Sequence, residues 1–126
     1  MENHQRRKWN RELGEAGERR AAAYLEGRGF GICCRNYRCR YGEIDIIARE
    51  PERGILCFVE VKTRSVLNKG RPCEAVTPAK LRCLRRTAEH YLSEYRPACS
   101  GIRLDAAEVL YLGGKFYIRY TENITG

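Results

Sequence analysis

The chain is predicted to be a single α/β domain, a mixed five-stranded sheet flanked by helices in the order αβββαββ. Three observations lead there. Apolar residues recur at three- and four-residue steps in two stretches, from Leu13 to Tyr24 and from Leu81 to Tyr95, and alternate or run together in five shorter ones. Turn signals, Pro51-Glu52-Arg53-Gly54 and Gly113-Gly114, separate pairs of β-rich runs. Finally, 126 residues with 43% hydrophobic content suffice for one core, and no repeat, low-complexity stretch or linker marks a second domain, so residues 1–126 are read as one unit.

The first helix is expected over 12–28. That stretch lacks Pro, is rich in Ala, Glu and Arg, and places Leu13, Ala16, Gly17, Ala21 and Tyr24 on one stripe before Gly27 and Gly29. Residues 1–10 are expected to be a flexible lead, in which Arg6-Arg7-Lys8 and Trp9 could add contacts to a polyanion. A strand follows over 30–40, where aromatic and Cys residues alternate with Arg. Residues 43–50 (EIDIIARE) and 55–62 (ILCFVEVK) form a hairpin around the Pro51–Gly54 loop, and 63–76 are polar, with Gly70 and Pro72, and read as a loop. Thr77-Pro78 supplies an N-cap and a first-turn Pro for the second helix. Its apolar positions are Leu81, Leu84, Ala88, Tyr91, Leu92 and Tyr95, and Pro97 ends it. Strands over 102–112 and 115–121 then flank Gly113-Gly114.

Charge narrows the partners. Lys and Arg number 24 against 16 Asp and Glu, for a net charge of +8, and 19 of the 24 are Arg, whose planar fork suits phosphate oxygens. A polyanionic partner is therefore expected. No membrane association is expected and a cytoplasmic location is, because the N-terminus lacks the apolar core of a signal peptide and the longest fully apolar run is only 55–59. Seven Cys is an odd count for a disulfide framework and points to reduced thiols. Cys33, Cys34 and Cys39 make no CxxC pair and have no nearby His, which disfavours zinc.

The chemistry-bearing residues cluster in the central hairpin. With a four-residue loop, Glu50 faces Ile55, which places Asp45 opposite Glu60 and Glu43 opposite Lys62. Simple alternation would put all four on one face and Ile44, Ile46, Val59 and Val61 on the other. Opposed carboxylates of this kind lie about 5 Å apart by Cβ, a spacing suited to one hard cation. Lys62 could then orient water or stabilise charge developing on a phosphate. On pattern alone the same residues also describe an ion-pair ladder on a solvated sheet face. Between residues 62 and 86 there are eight basic residues (Lys62, Arg64, Lys69, Arg71, Lys80, Arg82, Arg85, Arg86) and one acidic, Glu74, so phosphate-binding groups would begin beside the carboxylates.

The runs NYRCRYGEIDIIARE, ILCFVEVKTR and AVTPAKLRCLRRTAEHYL resemble the YraN-like family of small bacterial proteins, which are similar to archaeal Holliday-junction resolvases. The resemblance covers most of the chain, from residues 14–18 (GEAGE) through the second helix, and implies a restriction-endonuclease-like core. By resemblance Asp45, Glu60 and Lys62 occupy the positions of the PD-(D/E)xK nuclease motif, with Ile44 in place of the Pro. Asp45, Glu60 and the Val61 carbonyl would hold Mg²⁺, with Mn²⁺ as a substitute. Glu18, like the acidic residue that relatives bring from their N-terminal helix, would serve a second metal or a metal water; for Glu18 and Glu15 alike, a surface Glu paired with an Arg one turn away is the alternative from periodicity alone. Arg64, Arg71, Lys80, Arg82 and Arg86 would grip the backbone. The implied activity is a metal-dependent endonuclease acting on branched or structured DNA, or on RNA, working as a homodimer as resolvase-like relatives do. The rival reading is a noncatalytic nucleic-acid-binding module retaining the fold. Asp105 also matches a recurrent family position, and an Arg103-Asp105 pair supporting the sheet explains it equally well.

Overall fold

Alternating β-branched and aromatic residues on either side of two tight turns leave the chain little choice but hairpins, and the helix between them must cross over to bring the second hairpin alongside the first. The computed structural model, which describes residues 3–65 and 76–125, shows this arrangement. Its elements are α1 (Asn3–Gly27), β1 (Gly31–Cys39), β2 (Gly42–Arg49), β3 (Leu56–Ser65), α2 (Pro78–Tyr95), β4 (Ile102–Leu112) and β5 (Lys115–Thr121). The strands lie in sequence order across one sheet, antiparallel except for the β3–β4 pair, which is parallel and joined through α2. One helix covers each face. Ala21, Ala22 and Leu25 of α1 pack on Ile46, Ala48, Cys57, Val59, Ala107 and Val109, whereas Leu84, Ala88 and Tyr91 of α2 pack on Tyr37, Ile44, Ile47, Leu56, Phe58 and Leu104. This mixed α/β arrangement is consistent with a restriction-endonuclease-like core.

Local chemistry sets the element ends. Thr77 caps α2, its Oγ1 accepting from the Lys80 N–H at 3.1 Å, and Arg96 closes the helix in the left-handed region with its N–H on the Leu92 carbonyl. Gly113 and Gly114, at φ 57° and 80°, supply the two positive dihedrals that a two-residue hairpin turn needs. The Glu50 N–H donates to the Ile55 carbonyl at 2.8 Å, so the four-residue loop of the first hairpin closes where expected. Its tip is held by the Glu50 carboxylate, which accepts from the Glu52 N–H at 2.6 Å and the Arg53 N–H at 3.1 Å.

Two expectations change. The first helix starts at Asn3 and not near residue 12, so residues 3–10, expected as a flexible lead, are helical, and Trp9 meets Tyr111 edge-on at 6.0 Å between centroids. The third strand continues through Ser65, because β4 offers it a parallel partner as far as Tyr111. Lys69, Arg71 and the Gly70–Pro72 part of the expected loop lie outside the described residues. The six described cysteines are free, with Cys57 fully buried.

Candidate metal centre and nucleic-acid surface

The expected pairing of β2 with β3 holds over Arg49↔Leu56, Ala48↔Cys57, Ile47↔Phe58 and Ile46↔Val59. It stops one step before Asp45 and Glu60. There the strands part, and the Val61 N–H donates to an Asp45 carboxylate oxygen at 2.7 Å. The neighbouring β1–β2 ladder skips the same place. Arg35 pairs with Ile46 and Tyr37 with Ile44, but Asn36, at φ 55°, and Asp45 are passed over.

This double interruption corrects the expected faces. Ile46 and Val59 face α1, with Val61 packed beside them, but Ile44 lies in the α2 cluster. Alternation therefore slips at Asp45, because a residue in the left-handed conformation opposite it breaks the pleat. Glu43 is likewise not opposite Lys62. It pairs with Arg38 on β1, 3.3 Å from the Arg38 Nε.

Through the parted strands Asp45 lines cavities on both sides of the sheet. On the α2 side, a space of about 270 Å³ is lined by Glu43, Asp45, Glu60, Lys80, Cys83, Leu84 and Thr87. On the α1 side, a wider cleft of about 650 Å³ holds Asp45 with Glu15, Glu18 and Glu43, surrounded by Arg11, Arg19, Arg35 and Arg38. Burial and then repulsion from Glu60, Glu18 and Glu43 push the Asp45 carboxyl up to about 7, against the lowering effect of the Val61 N–H. Glu18 is also raised, chiefly by burial, although Arg35, 3.7 Å away, and a hydrogen bond from Asn36 oppose the shift.

Glu60, only 8% exposed, points toward α2. The Lys80 Nζ lies 2.7 Å and the Lys62 Nζ 3.7 Å from its Oε1. Lys80, expected to grip backbone, is thus part of the site itself. The Thr77-Pro78 signal fixed Lys80 in the first helical turn, but the direction of that turn toward β3 depends on the crossover and could not be read from the chain. The clustering of Arg35 and Arg38 beside Asp45 was hidden for a similar reason, since it depends on the slip at Asn36. Arg82, Arg85 and Arg86 are exposed on α2 as expected, with the Arg86 guanidinium 5.9 Å from the centroid of Tyr41. Arg64 lines a separate groove with Lys62.

The donor chemistry suits a hard divalent cation. Buried Glu60, half-buried Asp45 and the Val61 carbonyl could offer oxygen ligands, and a carboxyl raised toward neutrality by burial first and like charges second is the group whose ionisation a cation would favour. Among the described residues no three His, Cys, Asp or Glu side chains form a metal-holding group. Mg²⁺ commonly uses one or two carboxylates and retains water, so a third is not required. Asp105 takes the structural role instead. Fully buried, it binds the Arg103 Nε at 2.9 Å, the Tyr120 hydroxyl at 2.5 Å and the Asn123 N–H at 2.9 Å.

No helix among the described residues is long and apolar enough to cross a membrane. Residues 17–109, which include Glu18, Asp45, Glu60, Lys62 and α2, match the model of the uncharacterised protein family UPF0102. UPF0102 proteins similar to this chain include one from Leifsonia xyli, 48% identical over 79% of this chain and 82% of the relative. Another, from Mycolicibacterium gilvum, is 44% identical over 77% and 79%, and one from Alkaliphilus metalliredigens is 43% identical over 90% and 97%. The chain belongs to the UPF0102 family, the YraN-like family to which its sequence runs pointed.

Proposed function

We propose that this protein is a metal-dependent endonuclease that hydrolyses phosphodiester bonds in branched or structured DNA. The observation that carries the proposal is the parting of β2 and β3, which exposes Asp45 to a cavity shared with Glu60 and sets ammonium groups against Glu60. Asp45, Glu60 and the Val61 carbonyl would hold Mg²⁺ or Mn²⁺, and the bound cation would polarise a phosphoryl oxygen and acidify water. Lys62 supplies a positive charge beside the carboxylates, suited to stabilising negative charge as it grows on the scissile phosphate or to orienting water. Glu18, reaching the same region from α1, orients water on the far side of Asp45. The arginines of the α1-side cleft and Arg82 and Arg86 on α2 hold the phosphates on either side.

One observation favours a second reading, a noncatalytic nucleic-acid-binding module. Lys80 already neutralises Glu60 at 2.7 Å, so the acidic pair can persist without a cation. The two readings separate on incubation of the protein with Mg²⁺ or Mn²⁺ and junction, flap and single-stranded DNA. The nuclease reading expects cleavage that falls about a hundredfold or more in Asp45→Ala and Lys62→Ala. Binding without cleavage by the parent would favour the module, and cleavage surviving both substitutions would place the activity elsewhere.

A further inference from the structure

Helix α2 covers only part of its side of the sheet, packing mainly against β2 and β1 and reaching Leu56 and Phe58 of β3 and Leu104 near the start of β4. Beyond it, the same side of β4 and β5 carries Leu110, Leu112 and Tyr117, which are 40%, 45% and 52% exposed. Leu110 and Tyr117 face each other across the β4–β5 ladder. They line a groove of about 320 Å³ whose polar residues are Lys62, Arg64, Glu108 and Arg119. Lys62 belongs to both places: its ammonium lies 3.7 Å from Glu60 in the candidate centre, and it also lines this groove.

We propose that this groove binds unpaired nucleotides adjoining the bond held at Asp45 and Glu60, so that the preferred substrate carries a single-stranded tail or flap. The proposal rests on the nuclease reading and adds the class of DNA structure it acts on. Lys62, Arg64 and Arg119 outnumber Glu108, which pairs with Arg119 at 3.8 Å, and this net positive lining suits a phosphodiester backbone. An exposed tyrosine opposite Leu110 gives an unpaired base a face on which to stack. A duplex keeps its base faces stacked internally and would leave Tyr117 unused. A second copy of the chain suits the groove less well, because a two-fold contact sets a patch against itself and would bring its excess cations together.

The test compares affinities, in EDTA to prevent metal-dependent hydrolysis, for a fluorescent blunt duplex and the same duplex with a thymidine tail of about ten nucleotides. The tailed DNA is expected to bind roughly tenfold or more tightly, with this ratio falling close to one in Tyr117→Ala and persisting in Tyr117→Phe. Circular dichroism checks that both variants fold, as expected for so exposed a side chain. A tailed-to-blunt ratio near one in the parent, or one unchanged in Tyr117→Ala, overturns the proposal. So does sedimentation showing a parent dimer that Tyr117→Ala separates. Metal-dependent cleavage that Asp45→Ala abolishes, together with no preference for the tail, would remove this inference and leave the nuclease reading standing. Failure to bind or cleave any DNA would remove both.

Discussion

The Asp45 carboxyl is raised toward neutrality by burial first and then by Glu60, Glu18 and Glu43, among which it sits where both neighbouring ladders pass it over. Its pKa of about 7 in the folded protein lies well above the value of about 3.9 for an unfolded Asp. Between those values the unfolded chain gives up its proton while the folded one keeps it. Stability therefore falls as pH rises through this window, by up to about 1.4 kcal/mol per pH unit. Without divalent metal, Asp45→Asn should gain stability relative to the parent from pH 4 to pH 8, as read from urea midpoints; parallel profiles would refute this. Mg²⁺ at pH 8 should restore stability to the parent and have little effect on the Asn variant. Asp105 is the instructive contrast. Removing it would leave Arg103, with a side chain only 9% exposed, buried without its main partner. Asp105→Ala should cost about 3–5 kcal/mol in urea unfolding. On the proposed nuclease reading, any cleavage it loses should follow the unfolded fraction, and the remaining folded protein should cleave with the parent's response to Mg²⁺.

Helix α1 approaches β3 closely enough that a methyl group has no room at Gly17. A Cβ there would meet Thr63 side-chain atoms at 2.7 and 2.9 Å, with Thr63 Oγ1 closer still. Gly17→Ala should destabilise by about 1–3 kcal/mol through overpacking. Thr63→Ala in the same chain should recover part of that loss, and strict additivity in a double-mutant cycle would show that the contact is not the cause. Because Thr63 follows Lys62, the proposed nuclease reading expects Gly17→Ala also to weaken DNA cleavage beyond its effect on the folded fraction. Gly17 stood on the expected apolar stripe, yet its tight fit to Thr63 could not be seen without knowing which strand α1 crosses. The same limit runs through the fold. Thr77-Pro78, Pro97 and Gly113-Gly114 fixed the boundaries of α2, β4 and β5 because each acts through its own backbone dihedrals or hydrogen bonds. The four-residue loop likewise fixed the register as far as Ile46↔Val59. The slip at Asn36 and Asp45 escaped, since an Asn within an apparently regular strand does not announce a positive φ. Asp45, Glu60 and Lys62 were legible as one constellation, whereas the direction of each side chain was set by that slip, and Lys80 joined them only through the crossover.

At the scale of the whole molecule, the net charge of +8 acts together with where its cations sit. Arg82, Arg85 and Arg86 lie exposed along α2, while Arg11, Arg19, Arg35 and Arg38 surround the opposite mouth of the space around Asp45. Phosphates could thus be neutralised on both sides of the sheet, with Asp45 and Glu60 between them. An acidic protein partner could also be attracted to such a surface, but only a nucleic acid releases a condensed layer of counterions on binding. The logarithm of the duplex association constant should therefore fall linearly with the logarithm of salt concentration. Replacing Arg82 and Arg86 together by Ala should lower affinity similarly for different base sequences, because neither is placed to read bases, and should reduce the slope by about 1.8 if each neutralises one phosphate. An unchanged slope would place the DNA away from α2, leaving the α1-side arginines as the phosphate-binding surface. Loss of discrimination between base sequences would instead mean that one of these arginines enters a groove and contacts base edges.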